Sequence, residues 1–261
     1  MSLLPTGGLD PRSRFAADHP KEPTMTRAED QTARPPVVDE EEWAAANAAQ
    51  VEREKAQMKA NDAVLAGRRH LPMVKMDPSY AFEGPSGPLT FAELFDGRPQ
   101  LILYHFMLKP GSDHICPGCS QFTDNLPHLS HVRERDITFV LGSRVPQDHI
   151  QAVQEKMGWQ HIPWVSTEDR FAEDIGALVD GGTTFRYTVF LRDGDGIYKT
   201  YATAGRGAEA LTSMWSLLDS TPYGRQEDWQ DAPDGFPQGP PYTRGALHTD
   251  FDEHTRLGGI R

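Results

Sequence analysis

Residues 100–107 read QLILYHFM and residues 137–143 read ITFVLGS, two short runs that are almost continuously apolar. A strand with one wet face alternates apolar and polar residues. A strand covered on both faces does not, and reads as an unbroken apolar run. Two such strands with helix-forming sequence between them require a sheet with helices packed on both sides. The chain is therefore expected to be α/β.

The rest of the chain supplies the flanking elements. Asp39 is a helix N-cap with Glu42 three residues on, a capping-box spacing, and EEEWAAANAAQVEREKAQMKANDAVLA follows, ended by Gly67. Its large apolar residues (Trp43, Val51, Met58, Leu65) are sparse, so this helix is expected at a domain edge or against a partner. Residues 79–82 read as a strand, and Thr90 with Glu93 caps the short helix TFAELF. A helix is expected over 116–133, and another, PQDHIQAVQEKM, runs from Pro146 to a stop at Gly158. FRYTVFLRD and GIYKTYATA are joined by Gly194-Asp195 as a hairpin, and a last helix spans 207–219. The order is β-α-β-α-β-β-α, the order of the thioredoxin topology.

Composition narrows the function classes. Six prolines fall in residues 1–36 and five between Pro222 and Pro241, which marks both ends as polar extensions. The 38 acidic residues against 26 basic ones give a net charge of −12, which argues against nucleic acid as a partner. No apolar run reaches the length of a membrane helix, and the N-terminus lacks the pattern of a secretory signal. We expect a cytoplasmic protein with no membrane partner. Two cysteines do not make a disulfide framework, and a close pair in a reducing compartment is catalytic or metal-binding more often than structural.

That pair is Cys116-Pro117-Gly118-Cys119, just after a buried strand and at a helix start. The i, i+3 spacing in a first helical turn brings the two Cα atoms within disulfide reach. The helix N-terminus favours the thiolate. Pro117 suits the first helical position, where its missing N–H costs nothing. Cys116 is the expected nucleophile and Cys119 the resolving thiol. Ser120 stands where covalent c-type haem attachment needs a histidine. His128 and His131 complete a C-x2-C-x8-H-x2-H pattern that is too short for a zinc finger, so they are read as ordinary groups on the helix begun by Cys116.

Several segments together resemble an uncharacterised bacterial thioredoxin-like family, described as predicted dithiol-disulfide oxidoreductases and distantly peroxiredoxin-like. They are the long helix ending in GRRHLPMV, then FAELFDGRPQLILYHFM, CPGCS, FVLGSR, MGWQHIPWVS, VFLRDGDG and TPYGRQEDW. The resemblance implies a thioredoxin-like three-layer fold, with a mixed central sheet flanked by helices and an extra N-terminal helix. It carries the redox pair to Cys116 and Cys119. The expected organisation is a disordered tail (1–38), an N-terminal helix (39–70), the thioredoxin-like domain (71–222) and a Pro/Gly-rich extension (223–261).

Two departures from related patterns stand out. Thioredoxins place a cis-proline before the third core strand, where this chain has Thr184-Phe185-Arg186. Peroxiredoxins share the Phe106-to-Pro110 turn and an arginine near the start of a late strand, here Arg186. They carry Thr or Ser three residues before the cysteine, where this chain has Asp113.

Arg186 is a candidate to stabilise the thiolate, and Asp113 and His114 are candidates to relay its proton. Trp159 and Trp164 read as packing rather than a substrate platform. The acidic run 39–42 reads as charge complementing the helix dipole. The expected function is thiol–disulfide exchange without a cofactor or metal. Its partners would be a thiol reductant and a disulfide-bearing protein or small thiol. The alternatives are a peroxiredoxin-like peroxidase, a non-catalytic interaction module and a small zinc module.

Overall fold

A computed structural model describes residues 33–251, so most of the expected N-terminal tail and the last ten residues lie outside the described residues. The first element is α1 (Glu40–Arg68), whose N-cap Asp39 accepts a hydrogen bond from the Glu42 N–H at 2.9 Å. Its acidic first turn, Glu40 to Glu42, faces the positive end of the helix dipole. The strands are β1 (Val74–Lys75), β2 (Ala81–Gly84), β3 (Gly87–Thr90), β4 (Gln100–His105), β5 (Ile137–Ser143), β6 (Trp164–Thr167), β9 (Arg186–Asp193) and β10 (Gly196–Thr203). They form one sheet in the order β1-β10-β9-β4-β5-β6-β2-β3, and β7 (Leu178–Val179) pairs separately with β8 (Gly182–Thr183).

At the centre of the sheet β4 runs parallel to β5, while β9 is antiparallel to both β4 and β10. The inner order β10-β9-β4-β5, with the third core strand reversed, is the thioredoxin topology inferred from the sequence. The expected two-residue turn is present, with Gly194 at φ 57°, the conformation a tight hairpin asks of its first turn residue. Along β4, Leu101 and Leu103 enter one core, with Phe91, Phe95, Phe171 and Phe190. Ile102 and Tyr104 enter the other, with Phe122, Ile150, Trp159 and Trp164. The unbroken apolar run thus has its cause in two cores sharing one strand.

The first core lies under α5 (Asp169–Asp174) and the 3-10 turn Glu93–Phe95. The second lies under α2 (Pro117–Asp124) and α4 (Gln147–Met157). Trp159 and Trp164 are core residues, as expected, with their indole N–H groups given to Asp124 and Ser143.

Two expectations need correction. The helix foreseen over 116–133 is two helices, α2 and α3 (Ser130–Arg133). Pro127 lacks an N–H and bars the helical conformation at the residue before it. His128 and His131 therefore do not ride on the helix begun by Cys116. The helix foreseen over 207–219 begins as a 3-10 turn (Gly205–Leu211), and only Ser213–Asp219 (α6) is α-helical. Gly205 and Gly207 have poor helix propensity, and Thr212 between the two pieces is extended. The long helix α1, expected at a domain edge or against a partner, has no buried residue, and Trp43 is 54% exposed. Its nearest aromatic tie is Arg68, stacked 4.6 Å over the Tyr201 ring.

The described part of the C-terminal extension packs back over the domain. Leu247 joins the second core, and His248 Nδ1 lies 2.9 Å from the Asp124 carboxylate.

Candidate active site

The parallel pair β4 and β5 delivers the chain to the end of the sheet where α2 begins. Cys116 is the N-cap of α2, at φ −65° and ψ 118°, and Pro117 follows as the first helical residue. In this position the Cys116 Sγ takes the role a serine or aspartate oxygen plays in an ordinary cap. It accepts the Cys119 N–H at 3.5 Å. The Cys116 carbonyl accepts both the N–H and the hydroxyl of Ser120 at 2.9 Å, which fixes the turn. Cys119 sits one turn deeper and is 1% exposed, and its Sγ accepts the Met107 N–H at 3.5 Å. Both cysteines are free thiols.

The two thiols differ in acidity for identifiable reasons. The Cys119 thiol hydrogen-bonds to the Cys116 sulfur, and with the backbone N–H groups of Cys119 and Gly118 and the nearby His114 it lowers the Cys116 thiol from 9.0 to about 6. Partial burial opposes them and is outweighed. Burial pushes the Cys119 thiol well above its ordinary value, and donating to Cys116 adds to the effect. Tyr104 lies beside Cys119, its hydroxyl also raised by burial, with its ring stacked on Phe122 at 4.0 Å between centroids.

The candidate residues divide. Cys116, Cys119 and His114 come together. Asp113 is exposed in the loop before α2, next to His114, whose N–H is given to the Ser112 hydroxyl at 3.2 Å. Arg186 is elsewhere. It stands opposite His105 in the β4–β9 register, and its guanidinium lies against Gly176, 3.5 Å from where a Cβ would be. Phe185 and Tyr187, its neighbours in sequence, face the second core and the cysteines, so strand alternation turns Arg186 to the other side of the sheet. Its Nε is buried there without a partner.

Beside the cysteines is a cavity of about 570 Å³. Its floor is the CPGC turn with Tyr104, Phe122 and Phe185, and its far wall comes from α6 and residues 225–245. Sequence reasoning missed that wall. Its signal was present in TPYGRQEDW, whose arginine, tyrosine and tryptophan are out of place in a featureless polar tail. Arg225 organises the wall: its guanidinium bonds Asp219 at 2.7 and 2.8 Å and Glu209 at 2.6 Å, and it lies 4.7 Å over the Trp215 ring. Among the described residues no three His, Cys, Asp or Glu side chains cluster as a metal site, and no helix is long and apolar enough to cross a membrane.

A family model described as a bacterial protein of unknown function (DUF899) matches residues 32–244. No curated protein matches the chain significantly. Among solved structures, the chain is similar to a reduced 2-Cys peroxiredoxin of Plasmodium vivax, at 14% identity and TM-score 0.35, over 52% of this chain and 82% of that one. A thioredoxin of Wuchereria bancrofti matches at 16% identity and TM-score 0.35, over 56% and 96%. A secreted disulfide oxidoreductase of Mycobacterium tuberculosis matches at 16% identity and TM-score 0.33, over 50% and 90%.

Proposed function

The chain belongs to the bacterial family of unknown function DUF899, and for it we propose thiol–disulfide exchange at Cys116 and Cys119. One observation carries this reading: the partly buried cap sulfur is acidified by the very thiol positioned to resolve its adduct. With the thiol at about 6, the thiolate is the favoured form of Cys116 at neutral pH. It attacks one sulfur of a substrate disulfide, the S–S bond breaks, and the leaving thiolate takes a proton from solvent. In the resulting mixed disulfide Cys116 no longer carries the charge that held the Cys119 proton on. Cys119 can then ionise and attack the Cys116 sulfur, releasing the second substrate thiol. The balance is one disulfide plus the protein dithiol giving two thiols plus the protein disulfide. A dithiol reductant restores the starting state.

The peroxidase alternative asks for convergent donors over the thiolate. Asp113 supplies a carboxylate where a hydroxyl would be needed, and Arg186 lies across the sheet. Exchange needs neither group. With a disulfide substrate and a thiol reductant, Cys116→Ser should abolish turnover. Cys119→Ser should accumulate a mixed disulfide visible by mass spectrometry. A fast reaction with hydrogen peroxide alongside no exchange would reverse the ranking.

A further inference from the structure

The wall built from the C-terminal segment decides what can reach Cys116. A protein disulfide needs open surface around the nucleophile, and here residues 240–245 run across that surface. A Cβ on Gly245 would sit 3.7 Å from the Pro117 Cβ, so the segment lies directly against the redox turn. The space left is the cavity of about 570 Å³, within the roughly 300–1,000 Å³ range of small-molecule sites. Its lining is mostly apolar, with Tyr104, Phe122, Phe185, Met214 and Trp215 among the contributors.

Of the charged groups in the lining, Arg225 and Glu209 are spent on one another, and Glu227 is held by N–H donors. Arg225 is held by Asp219 and Glu209. Glu209 also accepts the Tyr242 hydroxyl, and Glu227 accepts the Tyr242 N–H at 2.9 Å and the Trp229 indole N–H at 2.6 Å. Arg244 is different. It lines the same cavity, and among the described residues it has no carboxylate within 4.0 Å. Arg244 is exposed, so it stands at the rim; an apolar chamber with a reactive sulfur on its floor and an unpaired guanidinium at its mouth suits a ligand with an apolar body and an acidic group directed outward.

We propose that the substrate is a low-molecular-weight disulfide of this kind, its apolar body in the cavity, its carboxylate on Arg244 and its sulfur at Cys116. This rests on the exchange reading above and uses the same balanced step, the two products being small thiols.

The test compares three substrates on the full chain with a dithiol reductant: 5,5′-dithiobis(2-nitrobenzoate), which is aromatic and acidic, neutral 2,2′-dithiodipyridine, and insulin. The acidic aromatic disulfide should have the lowest KM and insulin the lowest kcat/KM. Arg244→Gln should cut the preference in KM for the acidic over the neutral disulfide by about threefold, the scale of one exposed ion pair. Insulin reduced as efficiently as the small disulfides, or an unchanged preference in Arg244→Gln, would overturn the proposal. Calorimetry of Cys116→Ser with the non-reducible thioether 4-(phenylthio)benzoate separates the two claims. Thioether binding without exchange in the unaltered chain sinks the chemistry and leaves the ligand class standing. Insulin reduction without thioether binding does the reverse.

Discussion

At the residue scale the site reduces to one sulfur acting as a helix cap. Because the Cys116 thiol lies at about 6, alkylation of the reduced protein by iodoacetamide should reach half its plateau rate near that pH, well below the ordinary thiol value of 9.0. A profile centred above pH 8 would contradict the geometry. Stability follows the same shift. The folded value is depressed, so the thiolate stabilises the reduced fold fully above pH 9, and that stabilisation is lost as pH falls through 6. Urea unfolding of the reduced protein against Cys116→Ser should therefore show a difference that grows from pH 6 to pH 9. The placement of the cysteine pair at a helix start was readable in the sequence because it needs only a local turn. Arg186 was not placed correctly, because its destination depends on which face of β9 meets the cysteines. The apolar neighbours Phe185 and Tyr187 carry that information and Arg186 itself does not.

At the scale of elements, β5 passes close between its neighbours at Gly142. His105 Nε2 and Thr167 Oγ1, 3.2 Å apart, meet across Gly142. A Cβ there would come within 3.0 Å of the Thr167 methyl and 3.3 Å of Leu103. Gly142→Ala should therefore cost about 1–3 kcal/mol by overpacking and lower Tm by several degrees, measured by calorimetry. An unchanged Tm would mean the sheet has slack at this point. The strands β4 and β5 and the helix α4 were readable because continuous apolar runs, Pro146 and Gly158 are signals contained within each element. The strand β6 was not: its four residues begin at Trp164 and give no period to count. Pro127 was visible and its breaking effect went unused. The cavity wall is held by hydrogen bonds and cation–aromatic stacking around Arg225, which leave no hydrophobic periodicity in the chain.

At the scale of the molecule, α1 contrasts with everything else. Its 29 residues correspond to about 43 Å of helix, none of it buried against the domain. What holds it is local: the Asp39 cap, the alanine-rich composition, and short-range pairs such as Lys55 with Glu52 at 2.7 Å, each contributing only tenths of a kcal/mol. The sheet, by contrast, is stabilised by two cores on either side of the same strands. Opening α1 exposes almost no apolar surface, so it has no energetic reason to wait for the sheet to open. In deuterated buffer the amides of α1 should exchange within minutes while those of β4, β5 and β9 stay protected far longer. Equal protection would mean that a partner or a second copy covers the helix in solution. The molecule would then keep two clocks. On the fast one, a rod roughly as long as a small domain is wide melts and re-forms. On the slow one, the cysteine-bearing domain persists unchanged, so α1 can lose and regain its shape without disturbing the turn that holds Cys116 and Cys119.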